Sequence, residues 1–339
     1  MLSMEALLET IKKNEEISKK FQAIETKILS ILDFSGLFEI LLDEIRKKFQ
    51  VPYVWLTLIN DGDDSGLLNF IGASGALESN LNLVSQDTFF SLIPRGTRPL
   101  LVNSKLKPYY RLLPSIKKFL IQSMAIAPIT FDGHIVGSLN QADLSSERFS
   151  PGIDTSLLEQ LALKVSLCLA NVTAHEKLKF LAYHDPLTGI LNRRVLASIL
   201  KREFQRARRY HSPLALVFLD IDHFKKINDR HGHDAGDRVL IHLARGIETM
   251  VRNSDAFARF AGDEFVVILP ETTSGKAKSL MQRIRNHFLE NPLDVSGTPV
   301  RISISFGVSS NENEAIESPE ALLKEADISL YKMKADRTN

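Results

Sequence analysis

Two short acidic clusters in this sequence could hold a cation. Residues 214–219 form a continuous apolar run that reads as a buried strand, and it ends in Leu219-Asp220-Ile221-Asp222-His223-Phe224-Lys225. Asp220 and Asp222 share a face if the strand continues, and a carboxylate pair supplies the hard oxygen ligands that Mg²⁺ needs. A helix cap or a solvated loop would use the same two residues. The second cluster, Phe260-Ala261-Gly262-Asp263-Glu264-Phe265, separates two hydrophobic strands, and Gly262-Asp263 suits a two-residue hairpin turn. Such a turn lifts Asp263 and Glu264 to the rim of the sheet, where carboxylates from a neighbouring strand end can join them. Several carboxylates at one point repel unless a cation compensates, which points to Mg-dependent phosphoryl or nucleotidyl transfer. No Walker-type loop accompanies them, because Gly275-Lys276 lacks the preceding glycine at the required spacing.

The elements around these clusters alternate helix and strand from about His184 to the end. Val195, Leu196, Ile199, Leu200 and Phe204 form one helical stripe, and Val239, Leu240, Leu243, Ala244 and Ile247 form another. Strands are predicted at 255–260, 265–269 and 300–309, with helices at 274–289 and 318–334. The expected class is α+β, an α/β sandwich with helices covering a sheet.

The N-terminal half has a different texture. Residues 3–32 read as helix, with Ile17, Phe21, Ile24, Ile28 and Ile31 at coiled-coil spacing. A helix around 37–45 precedes the β-rich run 51–59, which ends in Asn60-Asp61-Gly62. Residues 123–131 and 134–139 flank Asp132-Gly133 and read as an antiparallel hairpin. A second long helix follows Pro151, with Leu158, Leu161, Val165, Cys168 and Val172 alternating by three and four. Its simplest use is to leave one domain, pair with a copy of itself and enter the next domain. Packing on its own sheet would give the same periodicity. The expected division is an N-terminal helix (1–32), a sensory-type domain (33–150), a linking helix (151–183) and a C-terminal domain (184–339).

Composition narrows the class. Length 339 suggests two domains, and 44% hydrophobic with 24% charged residues is ordinary for globular chains. One cysteine, Cys168, excludes an intramolecular disulfide framework and multi-cysteine metal sites, so a reducing cytoplasmic setting is expected. Forty-two basic and 41 acidic residues leave a net charge of +1, so no global field recruits nucleic acid or an anionic membrane. The N-terminus becomes charged too early for a signal peptide, and the stretch 119–131 is too short to span a bilayer. No membrane span is expected.

The segment from His184 to Lys334 resembles the GGDEF domain of diguanylate cyclases, which condense two GTP into cyclic di-GMP. The resemblance is carried by Asp185-Pro186-Leu187-Thr188-Gly189-Ile190-Leu191-Asn192-Arg193-Arg194, then Asp220-Ile221-Asp222-His223-Phe224-Lys225-Lys226-Ile227-Asn228-Asp229. It continues through Gly232-His233-Asp234-Ala235-Gly236-Asp237, Arg252-Asn253-Ser254-Asp255, the Ala261-Gly262-Asp263-Glu264-Phe265 turn, and Ala326-Asp327 to Lys334. It covers nearly half the chain and implies a palm-like nucleotidyl cyclase fold, active as a homodimer in which each domain holds one GTP.

The resemblance implies a role for each matching residue. Asp220, the Ile221 carbonyl and Asp263 would bind Mg²⁺ or Mn²⁺. Asp263 would take the proton of the ribose 3′-hydroxyl, with Glu264 near the metals. Asn228 and Asp237 would read guanine, with His233 also at a substrate-contacting position, and Lys225 and Lys334 would bind phosphate. A carboxylate can accept from guanine N1 and N2 while an amide bonds another edge. Arg252, Asp255 and Arg283 match a product-binding site through which cyclic di-GMP inhibits. Two departures stand out. Ala261 replaces the usual first turn glycine, and the ending Lys334-Ala335-Asp336-Arg337-Thr338-Asn339 lacks the usual Gly-Arg-Asn spacing, leaving Arg337 as the stand-in for a second phosphate-binding cation.

Residues 131–139 and 148–151, with the helix that follows, resemble a GAF domain, a sensory or dimerising module. No haem, iron or bilin attachment pattern is present. The expected protein is a homodimeric diguanylate cyclase with a GAF-like regulatory domain. The alternative is a catalytically weak or inactive cyclic di-GMP receptor or dimerisation scaffold in which Ala261 disables the chemistry. A cyclase making a mixed dinucleotide with adenine is disfavoured by Asp237.

Overall fold

The computed structural model describes residues 4–60, 79–114, 120–295 and 297–338. The chain divides into two compact units, residues 1–178 and 179–339. Asp61 and Gly62 of the expected turn lie outside the described residues, as does the side chain of Arg337.

In the first unit, α1 (Met4–Ile28) and α2 (Phe34–Phe49) precede a five-stranded sheet. Its strands are β1 (Tyr53–Ile59), β2 (Leu81–Val84), β3 (Leu100–Val102), β4 (Ser123–Phe131) and β5 (His134–Asp143), in the order β2-β1-β5-β4-β3. Asp132 and Gly133 take φ of 49° and 79°, the left-handed pair that a two-residue hairpin turn requires, so β4 and β5 form the expected hairpin. α2 starts where the Asp33 carboxylate accepts from the Gly36 N–H at 2.7 Å, and a Lys27–Glu44 ion pair at 2.5 Å ties α1 to α2. On the other sheet face a short helix, α3 (Gln86–Leu92), and a 3₁₀ turn at Lys107–Leu112 close the core. There the Leu112 carbonyl accepts from Trp55 Nε1 at 2.6 Å and Thr57 Oγ1 at 2.8 Å, and Thr57 in turn accepts from Asn140 Nδ2 at 2.9 Å.

The long helix α4 (Ser156–Tyr183) corrects one expectation. Leu161, Val165, Cys168 and Val172, read above as a seam for pairing with a copy, are buried with Ile24, Ile28 and the sheet residues Leu56 and Leu139 in the unit's own core. Ile24 and Ile28 of α1 are likewise used inside the unit. The sheet face would otherwise meet water, and burying these side chains against it removes both apolar surfaces from solvent. The side of α4 that stays exposed carries Leu163, Leu167, Leu178 and Leu181. Among the described residues α4 is also the one helix long and apolar enough to cross a membrane by length and composition, a feature the stretch 119–131 did not reveal.

The second unit is built on a sheet of β6 (Leu191–Asn192), β7 (Leu214–Ile221), β8 (Ala256–Ala261), β9 (Glu264–Pro270) and β12 (Ile304–Ser310), in the order β12-β7-β9-β8-β6. β10 (Leu293–Val295) and β11 (Thr298–Val300) form a separate small hairpin. β7 is buried along its whole length and lies between β9 and β12, both antiparallel to it. Residues 215, 217, 219 and 221 pack under α7 (His233–Met250) and α8 (Ser274–Glu290); residues 214, 216 and 218 pack under α5 (Arg193–Tyr210) and α9 (Pro319–Thr338). The period of two therefore aims Asp220 toward the α5/α9 face. A short helix, α6 (Phe224–His231), follows β7 directly.

Candidate active site

Strand register assembles the acidic cluster. Asp220 at the end of β7 stands opposite Ser305 of β12 on one side and Glu264 of β9 on the other, and Glu264 stands opposite Ala261 of β8. Directly opposed residues share a face, so Asp220 and Glu264 lie side by side with the Gly262-Asp263 turn at their edge. Gly262 takes φ of 50°, whereas Ala261 has no left-handed backbone and is exposed. The position in this turn that requires glycine is therefore 262, and the methyl of Ala261 adds no backbone strain.

The two expected carboxylates at the end of β7 have different uses. Asp222 accepts hydrogen bonds from Ser303 Oγ and Ser305 Oγ, both at 2.6 Å, and its N–H donates to the Ser303 carbonyl at 2.9 Å. It fastens the strand end to β12. Asp220, nearly buried, meets the Lys334 ammonium of α9 at 2.7 Å. Burial is the main cause that raises the Asp220 pKa, with the charges of Asp263 and Asp222 adding to it and Lys334 opposing. Glu264 is raised for the same reason, burial first, then the charges of Asp220, Asp263 and Asp327. Asp327 and Lys334 lie seven residues apart on α9, two turns along one face, which brings both to the same end of the sheet. Sequence reasoning gave Asp327 no role beyond its place in a motif.

The donor set suits an open hard-cation site. Among the described residues no three His, Cys, Asp or Glu side chains are grouped closely enough to hold a metal. The chain offers two carboxylates that sense each other, Asp220 and Asp263, beside the backbone of Ile221. Mg²⁺ is commonly held by one or two carboxylates and completed by water and substrate phosphates. The residues fit that pattern, and the Lys334 contact shows that the Asp220 carboxylate already attracts a cation.

A clamp that sequence reasoning missed holds the turn from behind. Arg259 Nε donates to the Gly262 carbonyl at 2.8 Å, and its Nη1 meets Asp185 Oδ1 at 3.1 Å. Asp185 also accepts from the Thr188 N–H at 2.9 Å and hydroxyl at 2.8 Å. Burial opposes ionisation of Asp185, but the Thr188 and Arg259 bonds outweigh it and lower its pKa.

The other expected residues occupy two places. Asn228 on α6 faces α7, which carries His233 and Asp237, both exposed. Lys225, at the start of α6, is exposed as well. Arg252 and Asp255 lie in the turn between α7 and β8, where Asp255 Oδ2 accepts from the Arg252 N–H at 2.8 Å. The bond between these two residues runs through the backbone, and the Arg252 side chain is exposed. Arg283 is exposed on α8.

The motif order, the palm-like sheet and the acidic hairpin at its rim agree with the family comparison. Residues 182–339 match the family described as diguanylate cyclase, GGDEF domain, and residues 2–172 match DUF484, a protein family of unknown function. The chain is a GGDEF-domain protein with a DUF484 N-terminal half. Its GGDEF domain is 42% identical over 153 residues to the diguanylate cyclase DgcP of Pseudomonas aeruginosa, a match covering 45% of this chain and 22% of DgcP. It is 42% identical over 161 residues to the response regulator PleD of Caulobacter vibrioides, covering 47% of this chain and 35% of PleD. The cyclic di-GMP phosphodiesterase NbdA of Pseudomonas aeruginosa is 40% identical over 162 residues, covering 48% of this chain and 20% of NbdA. The chain thus spans 35% or less of each of these relatives. The GGDEF likeness lies in one domain, and the DUF484 half is matched separately.

Proposed function

We propose that this protein is a diguanylate cyclase that joins two GTP molecules into cyclic di-GMP with release of two pyrophosphates. The observation that carries the reading is the register pairing of Asp220 with Glu264 beside the Gly262-Asp263 turn, with Lys334 at 2.7 Å from Asp220. A divalent cation, Mg²⁺ or Mn²⁺, held by Asp220, the Ile221 carbonyl and Asp263 would withdraw charge from the bound phosphates. Asp263 takes the proton from the ribose 3′-hydroxyl. The freed oxygen attacks the α-phosphorus of the GTP on the facing domain, and the bond to pyrophosphate breaks. Lys225 and Lys334 offset charge that gathers on the phosphates. Asn228, His233 and Asp237 receive the guanine.

Each domain supplies one GTP, so two must face each other, and a homodimer follows. The exposed side of α4 fits this need. Leu163, Leu167, Ala170, Ala174 and Leu181 follow heptad spacing, and Leu178 lies beside them. Pairing through this stripe raises the effective concentration of the second domain. The DUF484 half then acts as the regulatory and dimerising module, and cyclic di-GMP returns to Arg252, Asp255 and Arg283 as an inhibitor. The GTP pool places this work in the cytoplasm.

The receptor alternative turns on the methyl of Ala261 beside a nucleotide. The backbone there is ordinary, so only the methyl's closeness to bound GTP would act against the chemistry, and turnover distinguishes the two readings. Chromatography of purified protein with Mg²⁺ and GTP, or GTP plus ATP, tests the proposal. Cyclic di-GMP should form, and Asp263→Asn should abolish it while leaving thermal unfolding unchanged, because the side chain sits at a hairpin tip outside the core. Full activity in that variant would overturn the site.

A further inference from the structure

Asn228 has an unusual setting. Its Oδ1 is buried and has no hydrogen-bond partner. An unpaired buried carbonyl oxygen is costly, and its position here has a geometric cause on the neighbouring helix. The oxygen points at the Cα of Gly236, the fourth residue of α7. A methyl group placed on Gly236 would lie 1.8 Å from Asn228 Oδ1 and 3.2 Å from Phe224 Cζ. The only hydrogen in that direction is a Cα–H, a weak donor. Gly236 has no left-handed φ, so its backbone would accept alanine without strain. The lack of a side chain at 236 is therefore required by the Asn228 amide and not by the helix.

We propose that Gly236 is a positioning residue for nucleobase recognition. By leaving room for Oδ1 it fixes the amide of Asn228, and because oxygen and nitrogen lie on opposite sides of the amide carbon, the NH₂ is turned away from α7. Asn228 then serves as a donor to an acceptor on the purine, while Asp237, next to Gly236, accepts from guanine N1 and N2. The two neighbours in sequence divide the work: one orients a donor and the other is the acceptor. This inference rests on the guanine-binding role proposed above for Asn228 and Asp237.

A methyl at 236 meets the far end of a flexible side chain. The inexpensive adjustment is rotation of Asn228, which preserves the fold and misdirects the amide. Affinity and stability should then move independently. Calorimetry with the α,β-methylene analogue of GTP, turnover assays and thermal melts on Gly236→Ala, Asn228→Ala and the double variant separate the cases. Gly236→Ala should weaken analogue binding about tenfold, the scale of one lost hydrogen bond, and raise KM by a similar factor with kcat changed by less than about threefold. Its Tm should stay or rise, because alanine is the better helix former. In the Asn228→Ala background the same substitution should change affinity by less than about twofold. Equal affinity of Gly236→Ala and wild type would overturn the assignment, and so would an equal loss with and without Asn228 or a clear fall in Tm. Failure of the wild type to bind the analogue would overturn the guanine reading and this inference with it.

Discussion

Arg259 and Asp185, 74 positions apart in sequence, meet at 3.1 Å, and the same guanidinium holds the carbonyl of Gly262 at 2.8 Å. The first motif of the GGDEF domain is thereby joined to the acidic turn through one side chain. Asp185 lies two residues beyond the end of α4 and, through Arg259, braces the backbone that carries Asp263.

The two ends of this clamp should separate on mutation. Arg259→Met removes the support of Gly262 and should lower cyclic di-GMP formation at least about tenfold, at a stability cost of about 1–3 kcal/mol. Asp185→Asn keeps the Arg259–Gly262 bond and loses only the charge beneath it. It should cost a similar amount of stability and much less activity. Initial rates and urea unfolding of both variants check the order, and equal rate losses would show that the Gly262 contact does not matter.

Glu264 links charge to stability in a predictable direction. Burial, then the charges of Asp220, Asp263 and Asp327, raise its pKa in the folded protein. A carboxyl raised on folding contributes stability that is full below its unfolded pKa of about 4.3 and is lost as pH rises through the folded value. Glu264→Gln cannot ionise and escapes that loss. With EDTA present, its Tm should equal that of wild type near pH 4, exceed it increasingly as pH rises from the unfolded to the folded pKa, and keep a constant excess above the folded value. Product formation should fall in the same variant. A Tm difference independent of pH would remove Glu264 from the repelling cluster.

The two stripes of α4 give opposite expectations. Val165 is fully buried in the core of the N-terminal unit, whereas Leu167 is 51% exposed. Val165→Glu should unfold that unit, since an unpaired charge replaces a core side chain. Leu167→Glu should leave thermal unfolding of dilute protein intact, shift sedimentation toward monomer and lower activity most at low protein concentration. A fully dimeric, fully active Leu167→Glu protein would move the interface elsewhere.

These same stripes show where sequence reading stops. Leu158 to Val172 and Leu163 to Leu181 both satisfy three-and-four spacing on a helix that is apolar on more than one side, so periodicity alone cannot say which side meets a sheet. The acidic hairpin was legible because Gly262-Asp263 interrupts two apolar strands, and that forces register. Its pairing with Asp220 follows from a strand order that no local pattern encodes. Asp222 looks equivalent to Asp220 in sequence, but Ser303, just before β12, and Ser305 within it, more than 80 residues away, take up its oxygens. Arg259 acts through a contact of the same long-range kind, whereas Gly236 acts on Asn228 of the preceding short helix, through a close approach that helix periodicity does not show.

Arg252 completes the set. Asp255 accepts from the Arg252 N–H, which shapes the turn and leaves the guanidinium exposed as a planar fork suited to guanine or phosphate acceptors. β8 then runs from Ala256 to Ala261 as an extended strand. At about 3.3 Å per residue, the six steps from Asp255 to Ala261 span about 20 Å, so a ligand on Arg252 lies away from the reacting phosphates. Inhibition through it would be allosteric. Arg252→Ala should therefore leave the initial rate within about twofold, as expected for an exposed side chain away from the reaction, and lose the late slowing of progress curves. Calorimetry with cyclic di-GMP should show the loss of one binding event in the same variant. The backbone bond to Asp255 does not need the side chain, so the turn itself should persist. Equal product affinity and equal late slowing in both proteins would reduce Arg252 to an ordinary surface residue.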